Sequence, residues 1–311
     1  MRKNLAFVFP GQGSQYIGMG KDFYENYEIA KQYFEITNKV LGFDLTDIIF
    51  NGTEDELKQT EITQPAIYTL SCIISKILEQ KNIIPAYLAG HSLGEYAALT
   101  AADVFGFEDG IKLVVARGEF IKNACLENKG GMIAVLGLEE NEIKQYVDDL
   151  VKKGIKVEIA NYNSPGQIVL SYKGDAEVAK QITDYFTSNN AKRMIELNVS
   201  GPFHSSFMKK ASQSLEKEIE KYQIKKPKIL VIFNYNAKAE NEVDKIKNCI
   251  INQVNNSVRW IDTVNLMVKN GVDTIVEVGP GRVLSGLNKK IDRNIKIYNI
   301  DSIESLNNLQ I

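Results

Sequence analysis

A serine bracketed by glycines, Gly90-His91-Ser92-Leu93-Gly94, constrains this chain more than any other feature. The apolar run Ala86–Ala89 precedes it, and the helix-forming Glu95-Tyr96-Ala97-Ala98-Leu99 follows. Together they predict a strand that turns sharply into a helix and projects the serine hydroxyl from the sheet edge. Glycines on both sides relieve the crowding of such a turn. The helix N-terminus then aims backbone N–H groups at an oxygen that becomes negative. Chance alone produces the pattern in roughly one chain in ten of this length. Its strand–turn–helix setting therefore carries the reading of Ser92 as a covalent nucleophile.

The surrounding pattern alternates strands with helices. Leu5–Phe9 is an apolar run stopped by Pro10-Gly11, which predicts a buried strand entering a loop. Helical spacing covers Asp22–Leu41, Ala66–Glu79 with Pro65 in its first turn, and Asp109–Leu126. The rhythm then changes. Met132–Leu136 predicts a strand, Glu140–Lys152 a helix, and Val157–Asn161 and Ile168–Tyr172 two strands joined through Asn163-Ser164-Pro165-Gly166. Asp175–Ser188 predicts a helix and Arg193–Leu197 a strand. That order, βαββαβ, is ferredoxin-like. Beyond it, helices at Ser205–Lys221, Val258–Lys269 and Val283–Lys290 alternate with strands at Ile229–Phe233, Thr274–Val278 and Ile295–Ile300. The expected fold is α/β: a parallel sheet covered on both faces, built from 1–127 and 199–311, with a ferredoxin-like subdomain inserted at 128–198.

Composition narrows the class. In 311 residues, 44% are hydrophobic and 24% charged, as in ordinary globular enzymes. A net charge of −2 gives no support to nucleic acid or an anionic membrane as partner. Cys72, Cys125 and Cys249 are odd in number, widely spaced and in no CxxC motif, so neither disulfides nor a cysteine zinc site is expected. The apolar run after Met1-Arg2-Lys3-Asn4 is too short for a signal sequence, and no stretch is long enough to span a bilayer. The cytoplasm and a monomer are the expectation.

A serine nucleophile needs a base, and the chain has two histidines. His91 adjoins Ser92, and adjacent side chains at a strand end point to opposite faces. His204, in Ser200-Gly201-Pro202-Phe203-His204-Ser205-Ser206, remains as the candidate. Acyl transfer also passes through an oxyanion that needs two donors. The Leu93 backbone N–H offers one. The loop Pro10-Gly11-Gln12-Gly13-Ser14-Gln15 is the best source of the other; it is neither GxGxxG nor a P-loop. Arg117 interrupts an apolar helical stretch. It is either a surface charge or a buried one with a carboxylate or phosphate partner, and a substrate carboxylate is a fair hypothesis. Neither histidine has a partner at metal-ligand spacing, so no metal is expected.

These motifs, taken in order, resemble the malonyl-CoA:acyl carrier protein transacylase family over nearly the whole chain. The resemblance rests on Phe7–Gln15, Thr63-Gln64-Pro65-Ala66, Gly90–Glu95, Arg117-Gly118, Asn163–Gln167, Gly201–Ser206 and Glu277–Gly281. It implies a hydrolase-like α/β core and a ping-pong reaction. Ser92 takes malonyl from malonyl-CoA and passes it to the phosphopantetheine thiol of an acyl carrier protein, with His204 as base and then acid. The coenzyme A thioester is a substrate, and no cofactor is implied. By the same resemblance, the Gln12 and Leu93 N–H groups form the oxyanion hole. Arg117 pairs with the malonyl carboxylate in a bidentate way, Gln64 lies near the site, and the Gln253 carbonyl orients His204. Ser257 stands where family members commonly have proline. Phe203 before His204 resembles malonyl-selective members. The carrier is expected to be acidic, which makes Lys192-Arg193 and Lys209-Lys210 candidate docking charges.

Three alternatives share parts of this pattern. An enzyme loading polyketide synthase carriers would share every residue named. An acyl hydrolase on the same fold would resemble this chain but lack the arginine at the Arg117 position. A non-catalytic carrier-binding module would not need the Ser92/His204 pair.

Overall fold

Both faces of the first strand are buried. Leu5, Phe7 and Phe9 enter one core, and Ala6 and Val8 enter another. A strand buried on both faces belongs inside a sheet covered on two sides. The computed structural model, which describes residues 2–311, contains that sheet. Its strands, in chain order, are β1 (Arg2–Phe9), β2 (Pro85–Gly90), β3 (Gly130–Leu136), β4 (Lys156–Ser164), β5 (Gln167–Lys173), β6 (Arg193–Glu196), β7 (Leu230–Ile232), β8 (Thr274–Val278) and β9 (Lys296–Ile300). Five of them form a parallel sheet in the order β7-β2-β1-β8-β9.

The other four form an antiparallel sheet in the order β4-β5-β3-β6, with every neighbouring pair antiparallel. This is the ferredoxin-like arrangement expected from the βαββαβ order. Alternation along β3 divides its faces. Ile133 and Val135 pack under the two helices of this unit, while Met132 and Ala134 face Leu197, Val199 and Phe203. The second face looks toward the parallel sheet. Tyr162 and Val258 tie the two sheets together through the backbone bonds Tyr162 N–H to Val258 O and Val258 N–H to Ala160 O.

Several element ends differ from the sequence reading. The helix expected over Asp22–Leu41 is two helices, Lys21–Asn26 and Glu28–Leu41, because Tyr27 between them is extended. The helix expected from Ala66 begins at Thr60, which places Pro65 inside it rather than in the first turn. Tertiary burial outweighs the proline: Thr60 through Ile74 is buried apart from half-exposed Glu61, so packing on all sides offsets the lost backbone bond. The segment expected as one helix from Ser205 opens with a 3-10 turn, Ser206–Met208, before Lys209–Ile219. The helix Val243–Gln253 carries no expectation from the sequence reading; its polar, Asn- and Lys-rich face obscures the buried Ile246, Cys249 and Ile250.

Candidate active site

Parallel strands deliver their loops to one edge. β1, β2, β7 and β8 run in register, with Phe9 opposite Gly90, Ala89 opposite Ile232 and Val8 opposite Glu277. The loops that follow, at Pro10–Gly13, His91–Leu93, Phe233-Asn234 and Gly279–Arg282, therefore meet at the carboxyl edge, where open α/β sheets hold their sites.

The turn at Ser92 is as tight as its glycines imply. A Cβ on Gly90 would lie 1.9 Å from the Gly94 carbonyl carbon, and one on Gly94 would lie 2.1 Å from the Phe9 oxygen. Ser92 itself takes a left-handed φ of 52°. For a residue with a side chain this conformation is strained, and it persists only where neighbours hold it. Here the Ser92 N–H donates to Asn234 Oδ1 at 2.7 Å, and its carbonyl accepts from Gln253 Nε2 at 2.7 Å. The helix Gly94–Ala101 then begins directly.

His204 meets Ser92 across the cleft, with Nε2 2.6 Å from Ser92 Oγ. Its Nδ1–H donates to the Gln253 carbonyl at 2.9 Å. Gln253 is the last residue of the helix Val243–Gln253, where carbonyls lack intrahelical partners, so its oxygen is free to accept. That bond sets the tautomer: Nε2 carries the lone pair that faces the serine hydroxyl. Burial first, then the Arg117 charge, pushes the His204 imidazole down to about 3. It is neutral at physiological pH. His204 also holds a left-handed φ of 53°, braced by Ser171 Oγ donating to the Phe203 carbonyl at 2.5 Å. His91 turns the other way, as the strand-end geometry requires: Nε2 lies 2.8 Å from Asn163 Oδ1 and the ring packs edge-on against Trp260.

Arg117 is buried, with 3% of its surface exposed. Its partners are neutral oxygens. Nη1 donates to Gln64 Oε1 at 2.7 Å, and Nη2 to Ser92 Oγ and Gln253 Oε1, each at 3.1 Å. Nε has no acceptor among the described residues. Burial lowers the guanidinium pKa, and the nearby Tyr96 and Glu95 oppose that effect. Among the described residues, the backbone N–H groups of Gln12 and Leu93 donate to no protein acceptor, so both are available to a substrate oxygen.

Ser92, Arg117, Gln64 and His204 line a cavity of about 170 Å³ between the two sheets. Gln12 and Leu93 line it from the core side, and Met132, Val169 and half-buried Phe203 close it from the other. Ser92, His204, Gln12, Leu93, Arg117 and Gln64 thus all line this cavity, and Gln253 reaches it through His204 and Arg117. Ser257, the departure from proline, donates from Oγ to the Ile159 carbonyl at 2.5 Å, so a hydroxyl ties this turn to β4. Of the candidate docking charges, Lys210 pairs with Glu127, and the Lys192 stem lies over Gly137. Among the described residues, no cluster of metal-binding side chains occurs and no helix is long and apolar enough to cross a membrane.

The sequence reading missed Asn234 and Glu95. Asn234 is fully buried, and its backbone N–H donates to Glu95 Oε2 at 2.6 Å. The available signal was its position one residue past the apolar strand run Ile229–Phe233, at the sheet edge where sites form.

A family model described as an acyl transferase domain matches residues 6–304. The chain is 41% identical to the malonyl CoA-acyl carrier protein transacylase of Bacillus subtilis over 302 residues, covering 97% of this chain and 95% of that protein. It is 38% identical to the enzyme of the same name from Staphylococcus aureus strain MRSA252, covering 97% and 96%. Among solved structures, an acyl carrier protein S-malonyltransferase from Vibrio cholerae superposes with a TM-score of 0.93 at 38% identity, covering 99% of this chain and 100% of that one. A malonyl-transacylase in complex with a type II polyketide synthase acyl-carrier protein superposes at 0.92 with 36% identity, covering 97% of each chain. With the serine elbow, the histidine and the two-sheet fold in place, the chain belongs to the acyl transferase domain family and, within it, to the malonyl-CoA:acyl carrier protein transacylases.

Proposed function

We propose that this protein moves malonyl from malonyl-CoA to the phosphopantetheine thiol of an acyl carrier protein, through a malonyl ester on Ser92, and so supplies fatty acid synthesis. One observation carries the choice of acyl group: the buried Arg117 guanidinium, which among the described residues has only neutral oxygens as hydrogen-bond partners, touches the nucleophile oxygen itself. A buried cation so placed favours an acyl group that brings its own carboxylate.

In the first half-reaction, Ser92 Oγ attacks the thioester carbonyl while His204 Nε2 takes the hydroxyl proton. Negative charge on the carbonyl oxygen faces the Gln12 and Leu93 N–H groups. Collapse expels the coenzyme A sulfur, which takes the proton from His204. In the second, the carrier thiol gives its proton to His204 and attacks the ester, and Ser92 leaves with that proton. His204 starts neutral, as a base must, because burial and the Arg117 charge disfavour its protonated form. The malonyl carboxylate takes the place of the Ser92 hydroxyl at Arg117, while Gln64 and Gln253 hold the guanidinium plane in place. The Gln253 carbonyl orients His204 in place of a carboxylate.

The division of the chain into 1–127 with 199–311, and 128–198, belongs to the same proposal. It is supported by closure of the antiparallel sheet within Gly130 to Glu196. So do action as a monomer in the cytoplasm and the absence of any cofactor beyond the substrate's own coenzyme A.

Intact-mass measurement after incubation with malonyl-CoA tests the reading. The parent should gain one malonyl group and lose it on addition of phosphopantetheinylated carrier protein. A malonyl adduct that persists on Ser92→Ala would sink the assignment. Release to water faster than to carrier would favour a hydrolase.

A further inference from the structure

We propose that Asn234 is a positioning residue for the Ser92 elbow, fixing which backbone N–H the oxyanion meets. The proposal rests on Ser92 being the nucleophile. β7 pairs with β2 only through Leu230 to Ile232, and the chain then turns away, with Ala237 N–H donating to the Phe233 carbonyl. Past Ala89, the last residue paired with β7, the chain runs through Gly90 at the end of β2 into His91-Ser92, so this edge would lose its neighbour where the strained turn begins. The Asn234 side chain takes the neighbour's place. Oδ1 accepts the Ser92 N–H at 2.7 Å, and Nδ2 donates to the Gly90 carbonyl at 2.6 Å. One amide thus spans the elbow on both sides of His91.

Asn234 is itself held from two directions. Its N–H donates to Glu95 Oε2 at 2.6 Å, and its carbonyl accepts the Arg259 N–H at 3.1 Å. It is fully buried, so no water competes for these bonds. The consequence for chemistry is directional. With the Ser92 N–H committed to Asn234, that donor faces into the sheet. The next one, the Leu93 N–H, is left to face the cavity. Without the amide, the left-handed Ser92 backbone can relax, moving both Oγ and the Leu93 N–H away from the reacting carbonyl.

Rapid-quench measurement of Ser92 acylation by malonyl-CoA tests this. Asn234→Ala should acylate about 10–100-fold more slowly, as a misplacement near 1 Å does, with malonyl-CoA affinity unchanged. A folded Asn234→Ala protein acylating within about twofold of the parent overturns the proposal. Should that variant not fold, Asn234→Asp decides. Its carboxylate can accept from Ser92, but it can donate to the Gly90 carbonyl only when protonated. Its rate relative to the parent should therefore rise as pH falls from 8 toward 5.5; a flat ratio overturns the positioning role. A malonyl adduct on Ser92→Ala would remove the reading of Ser92 and this proposal with it. Loss of that adduct, together with a parental rate in Asn234→Ala, removes the positioning role alone.

Discussion

Ser92 and His204 share an unusual backbone state: both are left-handed, at φ 52° and 53°, and their side chains meet at 2.6 Å. Two strained residues facing each other require a rigid surround. Glycine supplies it on the serine side, where Gly94 packs against the Phe9 carbonyl. Gly94→Ala would place a methyl carbon 2.1 Å from that oxygen. The substitution should cost about 2 kcal/mol or more by urea unfolding. A variant as stable as the parent would show that the elbow tolerates widening.

His204 gives a pH prediction with a definite sign. Its imidazole is held at about 3, against an ordinary 6.5. A base acts when neutral, so acylation should stay level from pH 8 down to 5 and fall only toward 3. Titration of kcat/KM for malonyl-CoA measures this, and an inflection between 6 and 7 assigned to His204 would contradict it. The same shift bears on stability. The stabilising contribution of this group is complete above 6.5 and declines as pH falls toward about 3, since only the unfolded chain takes the proton readily.

Glu95 should behave in the opposite sense. Burial pushes its carboxyl up to about 8 from 4.5. The folded protein keeps that proton where the unfolded chain has lost it. The contribution is complete below 4.5 and disappears as pH rises through about 8, with a slope of up to about 1.4 kcal/mol per pH unit. Glu95→Gln keeps an oxygen for the Asn234 N–H and removes the titration. Unfolding free energies at pH 5.5 and 8 should lie closer together in the variant than in the parent. An equal gap would show that Glu95 is already ionised in the fold.

Arg117→Ala should lower the preference for malonyl over acetyl transfer by about 2–5 kcal/mol, the scale for removing one partner of a buried charged pair. It should also raise the His204 pKa, because the arginine is the second cause of its depression. Competition between malonyl-CoA and acetyl-CoA reads the first effect, and the acid limb of the rate profile reads the second. An unchanged malonyl-to-acetyl ratio would refute the carboxylate clamp.

The Ser92 elbow, the order βαββαβ and the two-sided burial of β1 were legible in the sequence, because each depends on short-range physics: steric crowding at a turn, or a period of two or 3.6. His204 was legible for a simpler reason, since two histidines left little choice. Partner selection was not legible. Asn234 meets Ser92 from 142 residues away, and Gln253 meets Arg117 from 136. Asn234 is marked only by its place one residue past a strand run and Gln253 only by the family resemblance, because each polar side chain gains its partner only when strand register and helix packing bring the two ends together. The same holds for Pro65, whose local preference for a helix start gives way to burial along the whole helix. Local sterics and periodicity thus determined the nucleophile and the elements. The tertiary structure decided what holds them, because hydrogen-bond partners in a dry interior are set by which groups packing leaves unpaired.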